Sequence, residues 1–431
     1  MLSRLTESER WKRILPLIVW VLRIVVGATF IISGFAKAHD PWGFIFKIEE
    51  YLRLWDMMQP RSLVLSAATL ISSVEFLLGC MLLLGCYRRS AVWLMLAMMA
   101  VMLPLTGYIY IADPVSDCGC FGDFMHISNG ATFFKNILIT AALAFLAVYN
   151  SRVSGLFGAY VQWLVVVITS AYILLVSFIG YNLQPLVDFR SFPVGRSLVE
   201  DDSDDSVADE EILFVYERDG EKREFPVTAL PDSTWTYVER IEPRNASASS
   251  PTQFVVLDGN DDVTASVVAP EGEEILAIIP EYDRADVSYT YLLNELNAYM
   301  AYRGGSMAAI IAGGKDDVAD WTDLSMADYP VYAAEGTMLK ELVRGTMALV
   351  GLRDGKILWK RTAASVDPDI FETPDTFPEF ETLDFDGPRT ARNFTLILIS
   401  VLAVLFLLDR SGRLLRWRHK IKEIQRTHRK N

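Results

Sequence analysis

The sequence predicts an α-helical polytopic membrane protein of six spans. An α/β domain outside the membrane, with a β-rich segment ahead of it, completes the predicted fold. Three observations lead there. The chain of 431 residues is 52% hydrophobic, too apolar for a soluble protein of that length. Six apolar runs, at 14–36, 62–85, 91–111, 132–149, 157–181 and 394–408, read as bilayer crossings, which take ~20 residues. Charge is segregated: residues 181–391 hold 42 acidic and 17 basic residues, and the remainder holds 12 and 23. Such a split is expected when one part of a chain faces the cytoplasm and another faces away.

Taken in order, the first 13 residues are polar and carry Arg4, Arg10, Lys12 and Arg13. They are not read as a signal peptide, because no small-residue cleavage site follows and the next apolar run is too long. Lysine and arginine in short loops then fix the orientation. The N-terminus, Arg88-Arg89, Arg152 and a tail from Arg410 with nine basic residues and one acidic residue, Glu423, fall on one side, which is cytoplasmic. The 38–61 loop, the loop holding Cys118 and Cys120, and residues 182–391 fall on the other. The expected units are a cytoplasmic N-terminus (1–13), a unit of four spans (14–150) and a fifth span (151–181). A tether and β-rich segment (182–273), an α/β domain (274–364), a linker (365–392), a sixth span (393–409) and a basic tail (410–431) follow. In a bacterium this places the protein in the inner membrane, with the acidic domain in the periplasm.

Within the acidic region, residues 188–195 form the tether and 200–211 an acidic run with no expected fold. Residues 212–218 and 222–227 flank Asp219-Gly220, a hairpin signal, and 233–241 and 253–257 are further short strands. From Glu274 the pattern becomes alternating strands and helices. Strands are expected at 275–280, 307–312 and 329–333, helices at 287–302, 315–327 and 337–344, and a closing hairpin about Asp354-Gly355. Residues 365–389, rich in proline and acid, are expected as a linker. So acidic a domain excludes nucleic acid as a partner, since binding it relies on neutralising phosphates. It holds no histidine, no Ser/His/Asp set and no glycine-rich phosphate loop.

The chemistry therefore gathers on Asp117-Cys118-Gly119-Cys120-Phe121-Gly122-Asp123. Cysteines at i and i+2 can bring their Cα atoms within disulfide range, ~4.4–6.8 Å, and the intervening glycine permits the tight backbone. Three readings stay open. The pair could exchange disulfides with a partner thiol, it could be a structural or inert pair that shapes the loop, or it could bind zinc with Asp123 and His126. The redox reading predicts that Cys118→Ser abolishes function and traps a partner on Cys120. Arg23 and Glu75 are ionisable residues inside spans, where such groups pair or line a polar cavity. They could pair with each other, or with Lys37 form a polar pocket for a quinone. Lys37 itself is expected to reach the headgroups. Cys80 and Cys86 are expected as inert core residues, and the basic tail as an anchor on anionic lipid.

The stretch 14–150 resembles the DoxX/MauE group of small bacterial membrane proteins. The matching residues are Gly27, Ser33-Gly34-Phe35-Ala36-Lys37, Pro41, Gly43, Lys47 and Tyr51, with Cys118-Gly119-Cys120-Phe121-Gly122 ahead of the fourth span. The Cys-Gly-Cys-Phe-Gly string points to the MauE branch. The resemblance implies a four-helix bundle, a segment 37–51 that roofs a pocket near Cys118, and a role in maturing a disulfide-rich periplasmic enzyme or in sulfur or quinone redox chemistry. Residues 274–361 resemble a thioredoxin fold in their order of elements. The departure is that 282–286, where a thioredoxin carries Cys-x-x-Cys, holds no cysteine, and Thr346-Met347 stands where its proline would be. That resemblance implies a docking role without redox chemistry. A related layout, a bundle with external cysteines and a fused thioredoxin domain, occurs in membrane disulfide-forming enzymes. Those enzymes need a second external cysteine pair, which this chain lacks.

The functional expectation is an inner-membrane protein that supports thiol–disulfide chemistry or the maturation of a periplasmic partner through Cys118 and Cys120. Two alternatives stand beside it, a non-enzymatic scaffold of a cell-envelope complex and a quinone-linked respiratory component.

Overall fold

The computed structural model describes the backbone of residues 2–115, 118–120, 122–125, 127–150, 153–199, 213–218, 221–226, 236–241, 253–259 and 261–428. The acidic run 200–211, the turn Asp219-Gly220, Asp117 and His126 lie outside the described residues, as does the side chain of Asp123.

Helices α1 (Leu2–His39), α2 (Pro41–Leu54), α3 (Arg61–Leu84), α4 (Arg88–Ala112), α5 (Asn129–Tyr149) and α6 (Gln162–Asn182) form the first half. All but the amphipathic α2 are long and apolar enough to cross a membrane. Small residues bring α1 and α3 together, as expected where lipid supplies no hydrophobic drive between helices. A side chain at Gly34 would collide with the Phe76 backbone, and one at Gly79 with the backbone of Gly27 and Ile31. Aspartate 40 ends α1 and caps α2 by accepting from the Gly43 N–H at 2.9 Å, with Pro41 at the first helical position. The first span thus runs to His39, past the expected residue 36. The fifth begins at Gln162 and not at 157, because 153–161 fold into turns, with Gly155 pressed on Gly85.

The second half opens with β1 (Leu213–Arg218), β2 (Glu221–Pro226) and β3 (Thr236–Ile241), a small antiparallel sheet in the order β2-β1-β3. A seven-stranded sheet follows, built from β4 (Leu257–Asp258), β5 (Asp261–Asp262), β6 (Glu273–Ile279), β7 (Ser306–Ala312), β8 (Val331–Ala334), β9 (Ala348–Arg353) and β10 (Lys356–Thr362). Its order is β10-β9-β6-β7-β8-β4-β5; β6, β7 and β8 are parallel, β9 runs against β6, and β10 turns back against β9. The helices are α7 (Thr264–Val267), α8 (Thr290–Arg303), α9 (Lys315–Ser325) and α10 (Gly336–Leu342), with α8 and α9 as the parallel crossovers. Strand β6 is buried on both faces, which explains its unbroken apolar run. Ile275, Ala277 and Ile279 face the core under α8, with Trp321, Phe371 and Phe380; Leu276 and Ile278 face the core under α10, with Phe192 and Val256. Residues expected to be a free linker therefore belong to the fold, since Phe371, Phe380 and Leu383 are buried in the first core. The chain ends in α11 (Gly387–His428), the sixth helix able to cross a membrane, which continues unbroken into the basic tail. It packs on α6, where the Tyr172 and Thr395 hydroxyls meet at 2.9 Å.

Candidate functional site

The Cys118–Cys120 loop joins the ends of α4 and α5 that face the sheet domain. Two helices hold it by its carbonyls. Ser33 of α1 donates to the Cys120 carbonyl at 2.6 Å, and Tyr51 of α2 to the Cys118 carbonyl at 3.1 Å. Gly119 sits at φ 64° with the stem of Lys47 above it, so a Cβ there would lie 2.7 Å from Lys47 Cγ. Cys118 and Cys120 line one recess, together with Gly119, Gly122, Met125, Ile127 and Thr132 of α5. The recess measures about 10 Å3, room for one water at most. The sulfurs lie 2.6 Å apart as free thiols.

The two thiols are not equivalent. Cys120 is buried and Cys118 half-buried. The contact with the Cys120 side chain is the largest influence on Cys118; burial opposes it, and the Cys120 backbone, Thr132 and Lys135 assist, bringing the thiol down to about 6. The same contact and then burial push Cys120 well above the ordinary thiol value. The hydroxyl of Thr132 is buried without a hydrogen-bond partner and lines the recess, where a thiolate could accept from it. A thiolate is the nucleophile in disulfide exchange, and Cys118 is the less buried of the two cysteines.

Beneath the loop, Lys37 is buried. It donates to Ser33 Oγ at 2.7 Å and pairs with Glu75 Oε2 at 2.7 Å. It does not reach outward to headgroups, because Ser33 and Glu75 hold its ammonium inside the bundle. Arg23 does not meet Glu75. It lies at the opposite end of the bundle and donates to Asn150 Oδ1 and to the carbonyls of Asn150, Val153 and Ser154. The polar pocket expected from Arg23, Glu75 and Lys37 therefore does not form as one site. The ring nitrogens of His39 are engaged by the Phe35 and Val187 carbonyls, away from the sulfurs. Among the described residues no three His, Cys, Asp or Glu side chains converge as metal ligands. Cys80 and Cys86 are buried, and burial on α3 accounts for Cys80 as a packing residue.

Sequence reasoning missed the far side of α2. Lys47 and Tyr51 touch the cysteine loop; Phe46, Glu49 and Arg53, roughly half a turn away, face the sheet domain. Glu49 pairs with Arg284 and Arg61, both at 3.0 Å, and Arg61 pairs with Glu281 at 2.6 Å. Lys340 joins Glu281 at 3.1 Å and lies over the Phe46 ring. Asp40 pairs with Arg344 at 2.9 Å, whose main chain exchanges two hydrogen bonds with the Gln184 side chain. A polar cleft of about 340 Å3 lies beside this contact, at the carboxyl ends of β6 and β7, lined by Arg53, Glu281, Tyr282, Asp283, Arg284, Ala312 and Asp317. The signal that could have found the interface was the helical spacing of acidic and basic residues on α2, read as two faces.

Comparison with known proteins bears on both halves. Residues 15–149 match the family model described as methylamine utilisation protein MauE, and residues 210–243 match a domain of unknown function, DUF8463. The chain is 21% identical over 245 residues to Protein TlpB of Flavobacterium psychrophilum, an alignment that covers 56% of this chain and 65% of that protein. This chain thus spans just under two thirds of the length of the curated relative it matches. No solved structure matches.

Proposed function

Starting from a bundle that matches MauE, we propose that this membrane protein exchanges disulfides with a partner protein outside the cytoplasm through Cys118 and Cys120. The observation that carries the reading is the unequal pair in one recess, a half-buried thiol brought down to about 6 beside a buried one. Lowering a half-buried thiol favours its thiolate, the form that attacks a partner disulfide. In the exchange, the Cys118 thiolate attacks one sulfur of the partner disulfide and the other sulfur leaves as a thiolate. Cys120 then attacks the Cys118 sulfur and expels the second partner thiolate, leaving a Cys118–Cys120 disulfide. The reverse sequence oxidises the partner. No oxidant beyond the partner disulfide is required.

The sheet domain is the docking module in this reading. Central β6, parallel to β7 and antiparallel to β9, with helices between them, supports a thioredoxin-like fold. The place after its first strand where such a fold carries cysteines is the segment Glu281–Arg284, which here contacts α2. The basic residues at the far ends of the spans support a cytoplasmic location for both termini and a periplasmic one for the sheet domain.

The test is differential alkylation in intact membranes. Free thiols are blocked, the sample is reduced, newly exposed thiols are labelled and the 113–128 peptide is weighed. A reducible mixture is expected, with Cys120→Ser accumulating a partner on Cys118 and Cys118→Ser accumulating none. A pair that stays fully oxidised or fully unreactive, with both variants functional, would turn the reading to a scaffold whose cysteine loop is structural.

A further inference from the structure

The redox reading leaves one part of the site unassigned. The buried pair of Lys37 and Glu75 lies directly behind the loop, and a charged pair inside a bundle is costly unless it performs a task or locks helices. The helices are already locked by Gly34 against Phe76 and by Gly79 against Ile31. The Lys37 ammonium is tied by 2.7 Å contacts to both Ser33 and Glu75, and Ser33 in turn holds the Cys120 carbonyl at 2.6 Å. A continuous chain therefore runs from Glu75 on α3 through Lys37 and Ser33 on α1 to Cys120.

We propose that Lys37 is a positioning residue for Cys120: through Ser33 it fixes the loop, and its charge stabilises the thiolate that Cys120 carries during exchange. This rests on the disulfide-exchange reading above. When a partner thiolate attacks Cys118 of the Cys118–Cys120 disulfide, the S–S bond breaks and its electron pair goes to Cys120 Sγ. In the opposite direction Cys120 must lose its proton to water before it can attack. Either way a negative charge forms on a buried sulfur. Among the described residues, the charged and titratable groups packed about the loop are Lys37 from α1, Lys47 and Tyr51 from α2, Glu75 from α3 and Lys135 from α5. Lys47 is paired with Glu50 at 2.8 Å and lies over Gly119. Lys135 acts on both sulfurs, and Lys37 acts on Cys120 in the sense that favours its thiolate. Lys37 is thus the cation tied to Cys120 by a chain of hydrogen bonds, and Glu75 keeps it aimed.

The experiment is two-phase reaction of the reduced full-length protein, in lipid nanodiscs, with 5,5′-dithiobis(2-nitrobenzoate). The first phase forms the mixed disulfide on Cys118 and releases one thionitrobenzoate; in the second, Cys120 closes the disulfide and releases another. Lys37→Met is expected to leave the first phase within about twofold and to slow the second on the order of tenfold at pH 7.5. Raising the pH should restore it, and Lys37→Arg should retain most of the rate. Ser33→Ala, which keeps the charge but releases the carbonyl, is expected to slow the second phase without rescue by pH. A second phase in Lys37→Met with unchanged rate and pH profile overturns the proposal while leaving the exchange reading intact. Slowing in Lys37→Met that neither pH nor arginine relieves also overturns it, since a merely structural residue would behave so. Failure of the unsubstituted protein to show two phases would instead remove the exchange reading itself.

Discussion

The contact between Asp40 and Arg344 offers a direct measure of how firmly the sheet domain is seated on the bundle. Arg344 Nε lies 3.1 and 2.9 Å from the two carboxylate oxygens, and both side chains are buried. Asp40→Asn keeps one oxygen for the Gly43 N–H, so the cap of α2 survives, because asparagine caps as well as aspartate. What is lost is the charge opposite a buried guanidinium. Removing one partner of a buried pair costs ~3–5 kcal/mol. The surviving hydrogen bonds put this case at the lower end, about 3 kcal/mol, or roughly a 150-fold shift in the opening equilibrium. Hydrogen exchange of the full chain in nanodiscs, followed over residues 41–48 and 340–346, reports that equilibrium. Arg344→Leu should give a similar loss. The double variant should fall short of the sum by at least ~1.5 kcal/mol, the signature of residues in contact. Losses that add within ~0.5 kcal/mol, or exchange unchanged in Asp40→Asn, would refute the view that this pair seats the domain.

Three further outcomes are expected. At Asp40, Glu49 and Glu281 burial alone would raise the carboxyl, but the facing guanidiniums outweigh it and hold each below its ordinary value. Their contribution to seating is therefore full above about pH 5 and is lost as pH falls below about 4, which limited proteolysis across that range would show. Gly119→Ala places a Cβ in a left-handed position at a cost of ~1–2 kcal/mol and against Lys47, so alkylation of the normally protected Cys120 should accelerate toward that of Cys118. Arg23→Met removes a donor from the carbonyls of Asn150, Val153 and Ser154, of which Val153 keeps Arg88 and Asn150 keeps the Val153 N–H, and a loss of roughly 1–3 kcal/mol is expected in detergent unfolding, with thiol reactivity unchanged.

Much of this architecture was legible because its signals are local. Five apolar runs mark their helices to within a few residues, and β6 shows as a run too apolar for a half-exposed strand. The Cys-Gly-Cys string located the loop and its glycine, whose positive φ the structure contains. The inequality of the two cysteines was not legible. It arises from which sulfur is buried and which helices hold the loop, and residues at i and i+2 look alike in a sequence. The partner of Arg23 could not be read either, since its ligands are mainly backbone carbonyls some 130 residues away, which no residue type announces. The supposed linker misled for a related reason. Proline and acid suggested an extended tether, yet Phe371, Phe380 and Leu383, spaced among them, anchor it to the sheet.

The two-sided character of α2 bears on how this protein could be rebuilt. Its residues are written in the sequence as part of the membrane half, yet Glu49 answers to Arg284 as closely as Tyr51 answers to the cysteine loop. A chimera that exchanges the sheet domain at residue 182 would sever those pairings and leave Glu49 buried against a stranger. A workable graft has to carry residues 40–61 along with the sheet, and the natural seam for transplanting the domain runs through the bundle, not between the bundle and the sheet.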